Sequence, residues 1–220
     1  MTLRAHMREV LAGWPVGAPA PWRTTFEGTA PSFGSSSLGI AHDGLARPAH
    51  PPLRAANDER DLFRAFRRIE PAEVRVAVIG QDPYPDPRRA TGRPFEDGGA
   101  VQGLGVANSL RRLLQSGLTA MEPDLRADQD ITGWDIIAER VEEHLANQAA
   151  MTDYFDWLAG QGVLFLNTAW TFTEIEPHPD RAERERRLAR VQRAHKALWR
   201  PVMLRLIEAL KAQNPLECPH

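Results

Sequence analysis

The chain has 220 residues, enough for one sizeable domain. Its 42% apolar and 25% charged composition lies near the globular average, which excludes a wholly disordered, fibrous or membrane-spanning chain. A single cysteine, Cys218, excludes an intrachain disulfide framework and an iron–sulfur cluster held by four thiolates of this chain. The formal net charge of −2 gives no global pull toward nucleic acid or membrane, so an anionic partner needs a local basic patch. Residues Met1 to Gly17 carry Arg4, Arg8 and Glu9 and lack an uninterrupted apolar run, so neither a signal peptide nor a spanning helix fits. The expectation is an intracellular protein, of cytoplasmic bacterial type, with no membrane partner.

In chain order, residues 1–52 read as an irregular arm, with one short helix candidate around Met7 to Leu11 and seven of the 18 prolines. Asn57 and Asp58 can cap a helix in which Leu62, Phe63, Phe66 and Ile69 recur at helical spacing before Pro71. Val74 to Ile79 is β-branched and apolar and ends at Gly80, the signature of a buried parallel strand. A helix carrying Leu110, Leu113 and Leu114 is predicted from about Asn108 or Ser109, another from about Trp134 to Gln148, and a third from Thr152 to Leu158. Val163 to Leu166, bounded by glycines and Asn167, reads as the second strand. Strands alternating with helices predict an α/β fold, a central parallel sheet flanked by helices, in a single domain over residues 1–220.

After Glu176-Pro177-His178-Pro179 comes a long helical stretch to about Lys211, restarting at Pro201. From Arg181 to Arg205 it carries nine basic and two acidic residues, a local charge of +7. Leu188, Val191, Leu198, Val202 and Leu206 form its apolar stripe, and Arg186, Arg190 and Arg193 share another face. That arginine face suits either plain solvation or contact with phosphate.

Ligands of open α/β sheets bind beyond the carboxyl ends of the strands. The first strand ends there in Gly80-Gln81-Asp82-Pro83-Tyr84-Pro85, an acid and an aromatic in a proline-stiffened loop. The second ends in Asn167-Thr168-Ala169-Trp170, whose asparagine amide offers donors and an acceptor to a planar heterocycle. Each of these residues, taken singly, has an ordinary structural explanation: Asp82 capping a turn, Tyr84 and Phe95 filling the core, Asn167 ending a strand.

Taken together they resemble the uracil-DNA glycosylase superfamily, and most closely its main single-domain family. Gly80-Gln81-Asp82-Pro83-Tyr84 resembles the water-activating loop, Ala90-Thr91-Gly92-Arg93-Pro94-Phe95 the segment that follows it, and Leu164-Phe165-Leu166-Asn167-Thr168 the base-reading strand. Pro51-Pro52 followed by Asp61 to Phe66 is similar to the preceding helix, and the resemblance covers roughly Leu53 to Asn214. It implies a hydrolase that excises uracil from single- or double-stranded DNA as a monomer, without metal or cofactor. Asp82 then orients the attacking water and stabilises positive charge on the deoxyribose, and Tyr84 excludes the thymine methyl. Phe95 stacks on the extruded base, Asn167 hydrogen-bonds the uracil edge, Gln81 contacts the pyrimidine carbonyl, and Ser109 touches phosphate.

This sequence departs from that pattern at three places. Pro85 stands where the main family has histidine. Gly103-Leu104-Gly105-Val106-Ala107 replaces the prolines before Ser109, and the stretch from about Leu118 to Met151 is longer. The family's last parallel strand, and the His-Pro-Ser loop whose histidine meets the departing anion, have no counterpart before the atypical tail at residues 212–220. The expected sheet therefore lacks its last strand, and His178 matches no family position that could replace the histidine. Two further readings stay open: a catalytically inactive or truncated relic acting as a nucleic-acid-binding module, and an unrelated α/β hydrolase whose loop copies the motif.

Overall fold

The structure, a computed structural model, describes residues 2–40, 45–48, 61–100, 104–121, 134, 138 and 148–213. In chain order the regular elements are α1 (Leu3–Val10), α2 (Arg23–Phe26), β1 (Leu45–Pro48), β2 (Val76–Gly80), α3 (Asn108–Met121), α4 (Gln148–Gly160), β3 (Val163–Asn167), β4 (Thr173–Ile175) and α5 (Arg181–Gln213). β2 and β3 pair in parallel, from Val76 opposite Val163 to Gly80 opposite Asn167. β1 and β4 form a separate antiparallel pair.

Alternation along β3 organises the packing, because successive side chains of a strand leave on opposite faces. Leu164 and Leu166 join one apolar cluster with Leu3, Met7, Trp22 and Phe26 from the N-terminal part and Leu198, Trp199 and Val202 from α5. Phe165 joins the other, with Leu110 and Leu114 of α3 and Met151 and Phe155 of α4. The parallel sheet flanked by helices that the pattern predicts is thus what the chain forms, with two parallel strands among the described residues. β2 keeps Val76 and Ile79 about half exposed, at 52% and 48%.

Several expectations change. The presumed irregular arm supplies α1, whose Leu3 and Met7 are fully buried, and the equally buried Trp22, Phe26 and Leu38. Its aromatic rings explain the recruitment: Trp14 stacks on Phe63 at 5.3 Å, and Trp22 meets Phe66 edge-on at 4.9 Å. The helix read over Leu62 to Ile69 is instead a single 3₁₀ turn at Arg64–Phe66; its capping candidates Asn57 and Asp58 lie outside the described residues. Here Asp61 accepts from the Phe63 N–H at 2.7 Å and from Arg67 at 2.8 Å, a local turn that competes with helix.

The expected restart at Pro201 is absent: α5 runs unbroken from Arg181 to Gln213 with the proline inside it. The missing backbone donor, the usual helical partner of the Ala197 carbonyl, is tolerated because Leu198, Trp199, Val202, Met203 and Leu206 bury on both sides of it. The stretch predicted helical from Trp134 to Gln148 falls mostly outside the described residues, as do Cys218 and the rest of the tail beyond Gln213. No described helix is long and apolar enough to cross a membrane.

Candidate active site

The parallel register places Gly80 beside Asn167, so the loops leaving β2 and β3 start side by side. They are laced together by Thr168 N–H to the Gly80 carbonyl at 3.0 Å, Ala169 N–H to the Gln81 carbonyl at 3.0 Å, and the Thr168 hydroxyl to the same Gln81 carbonyl at 2.7 Å. Gly80 has a specific reason to be glycine. A Cβ there would collide with Asn167 Oδ1 and sit 3.4 Å from the Phe95 ring.

Phe95 arrives from the segment between Ala90 and Asp97, which closes on itself through a bridge between those two residues. Its φ of 69° is left-handed, a conformation that costs a bulky residue roughly 1–3 kcal/mol and persists only where the surroundings over-determine it. Here they do. The next residue, Glu96, is fully buried in a two-pronged pair with Arg64 at 2.7 and 2.9 Å, and the Tyr84 hydroxyl donates to the Phe95 carbonyl at 3.1 Å. The ring packs edge-on against Phe165 at 5.9 Å.

Together these elements enclose a cavity of about 220 Å³ lined by Gln81, Asp82, Tyr84, Phe95, Ser109 and Asn167, with Leu62, Phe66 and Trp170 as an apolar back wall. That is below the roughly 300–1,000 Å³ of pockets for drug-sized ligands and suits one small ring. Asn167 is buried, Asp82, Tyr84 and Phe95 are half-buried, and Gln81 and Ser109 are exposed. Ser109 is the second residue of α3, and its hydroxyl donates to the Tyr84 hydroxyl at 2.9 Å.

Burial pushes the Asp82 carboxyl above its ordinary value, opposed by amide donors from Gln81 and Gln192 and by the charge of Lys196. Burial likewise pushes the Tyr84 phenol up, so it stays protonated and able to donate. The site can therefore hold a planar ring between an aromatic face and an amide edge, with one carboxylate beside it. Among the described residues no cluster of three or more His, Cys, Asp or Glu is placed to hold a metal.

Other candidates lie apart from the cavity. Arg186, Arg190 and Arg193 are exposed on α5, with Arg186 paired to Glu183 at 3.0 Å. His178 accepts from the Asp180 N–H at 3.1 Å in a turn before α5. Sequence reasoning missed Gln192, which donates to Asp82 at 3.0 Å from 110 residues away. It also missed His195, fully buried on the same helix and sharing hydrogen bonds with the Thr171 and Thr173 hydroxyls at 2.8 and 3.0 Å. His195 does carry a sequence signal, since it falls in register with the apolar stripe between Val191 and Leu198; Gln192, beside that stripe in a charged helix, carries none.

Curated proteins similar to this chain include several uracil-DNA glycosylases. Uracil-DNA glycosylase of Bordetella pertussis is 35% identical over 173 residues, which cover 76% of this chain and 53% of that protein. Uracil-DNA glycosylase of Vibrio vulnificus is 31% identical over 119 residues, 54% of this chain and 41% of that protein. Uracil-DNA glycosylase 1 of Listeria monocytogenes is 30% identical over 116 residues, 53% and 40% respectively. The chain thus spans about half or less of the length of the relatives it matches. A wild-type UNG crystal structure from Nitratifractor salsuginis is similar at 23% identity and a TM-score of 0.47, covering 95% of this chain and 76% of that one. No family model matches. On those relatives, the chain belongs to the uracil-DNA glycosylase superfamily.

Proposed function

We propose that this protein is a DNA-repair glycosylase that hydrolyses the N-glycosidic bond of uracil in DNA and leaves an abasic site. The observation that carries this reading is the gathering of Asp82, Tyr84, Phe95 and Asn167, from three separate segments, around one cavity sized for a single ring. A base inside a duplex is out of reach, so it must be extruded and then held by stacking and by its edge. Phe95 offers the stacking face, Asn167 the amide for the uracil edge, and Gln81 a contact for a pyrimidine carbonyl. Tyr84 fills the space that a 5-methyl group would need.

Asp82 orients the attacking water and stabilises the positive charge that develops on the sugar. One carboxylate suffices because uracil leaves as an anion, unlike the paired carboxylates of ordinary glycosidases. On this reading the enzyme is monomeric, works inside the cell and accepts single- or double-stranded DNA. The exposed Arg190 and Arg193, with Arg186, supply a basic flank for phosphate, which predicts binding that weakens steeply with salt.

The test is cleavage of a single-stranded oligonucleotide containing one uracil, with Asp82→Asn and Asn167→Ala as controls. Release by the wild type that both substitutions abolish is the expected result. Release surviving both would overturn the site assignment, and no release by folded wild type would favour the inactive, nucleic-acid-binding reading.

A further inference from the structure

The hydrogen bonds to Asp82 are lopsided. Gln192 Nε2 at 3.0 Å and Gln81 Nε2 at 3.4 Å both point to Oδ2, whereas Oδ1 accepts no bond among the described residues. Gln81 is an exposed neighbour on the same loop, a weak constraint at that distance. Gln192 is different because its own helix is anchored. One turn on, His195 is tied to Thr171 and Thr173; two turns on, Trp199 donates to Thr171 at 2.8 Å and stacks on Trp170 at 4.8 Å. Thr171 and Trp170 belong to the segment that leaves Asn167. The base-reading strand therefore fixes α5, and α5 in turn fixes the carboxylate.

We propose that Gln192 is a positioning residue for Asp82, clamping Oδ2 so that Oδ1 is the oxygen presented to the reacting water. The inference rests on the glycosylase reading for its chemistry, but not for its geometry. The groups facing Asp82 are Gln81 from its own loop and Gln192 and Lys196 from α5; Lys196, one turn beyond Gln192, adds positive charge on the same side. Without the clamp the carboxylate loses both an anion-stabilising donor and its fixed rotamer. Small misplacements of a catalytic group cost up to about 10²-fold in rate.

The experiment compares wild type with Gln192→Ala and with Gln192→Met, which keeps the side-chain volume and removes the donor. Expected are a kcat lower by about ten- to a hundred-fold with KM within about twofold, and an acid limb of the kcat profile displaced to higher pH. A folded variant with unchanged kcat and unchanged acid limb overturns the proposal. A second readout stands apart from catalysis: the carboxyl ¹³C titration of Asp82, which moves to higher pH in either variant if Gln192 holds the anion. Should wild type release no uracil, the glycosylase reading fails while this titration still decides the clamp: a displaced titration supports it and a superimposable one rejects it.

Discussion

The Ser109 hydroxyl donates to the Tyr84 hydroxyl at 2.9 Å, and the Tyr84 hydroxyl donates in turn to the Phe95 carbonyl at 3.1 Å. A residue that the family resemblance associates with phosphate is here the first link in a hydrogen-bond chain that sets the tyrosine ring and, through it, Phe95. Ser109→Ala should therefore act on base selection. The expected outcome is a several-fold rise in thymine release relative to uracil from matched oligonucleotides, with the salt dependence of binding little changed. A purely phosphate-binding serine would give the reverse.

The left-handed backbone of Phe95 makes an ordering prediction. Both Phe95→Ala and Phe95→Gly lose the ring and should lose activity, but only glycine relieves the strained φ. The glycine variant should be the more stable of the two by about 1 kcal/mol, the opposite of the usual ranking of these residues. Urea unfolding of the pair checks it.

Gly80→Ala places a methyl group against Asn167 Oδ1. Because Asn167 is buried on the neighbouring strand, the amide must turn aside or the strands must part. Activity should fall by about 10²-fold through lost edge recognition, at a stability cost of roughly 1–3 kcal/mol, the range for overpacking. Full activity in the alanine variant would mean that the amide does not read the base.

Burial raises the Asp82 carboxyl in the folded state above its ordinary value of 3.8. The sign is then fixed: the fold favours the protonated acid, so this group's contribution to stability is complete below the unfolded value and is lost as pH rises through the folded one. Asp82→Asn should accordingly raise Tm at pH 7 while abolishing activity, and the two melting curves should converge as pH falls toward 3.8. A Tm difference that does not depend on pH would remove desolvation as its cause.

Glu96, fully buried, is held by Arg64 at 2.7 Å and lies 3.6 Å from Arg93. Removing one member of a buried pair leaves an uncompensated charge, which costs about 3–5 kcal/mol. Glu96→Ala should destabilise by that order in chemical denaturation and loosen Phe95 next to it.

Much of the scaffold was legible because its signals are local. The β-branched run ending at Gly80 and the apolar run ending at Asn167 are strands whose ends define the site, and both short loops carry recognisable residues. What failed did so through tertiary competition. Arg64 and Asp61 look like ordinary surface residues of a helix, yet their charges are used inside the fold, and the helix gives way to a 3₁₀ turn. Pro201 looks like a helix start, but buried side chains on both sides hold one helix through it. Gln192 was illegible for a different reason: its partner lies 110 residues away, and nothing in a basic helical stretch marks it as aimed inward; His195, in register with Val191 and Leu198, was legible as inward-facing, but its threonine partners 22 to 24 residues away were not.

The three-residue interval between Gln192 and His195 then works as an angular setting. Each residue along an α-helix rotates the side-chain direction by about 100°. One residue inserted or deleted between the anchored histidine and the glutamine would keep α5 in its bed and leave its charge intact, yet swing the clamp out of phase with the carboxylate. Substitutions elsewhere on α5 leave that phase untouched, whereas its length across this one turn is not free to change.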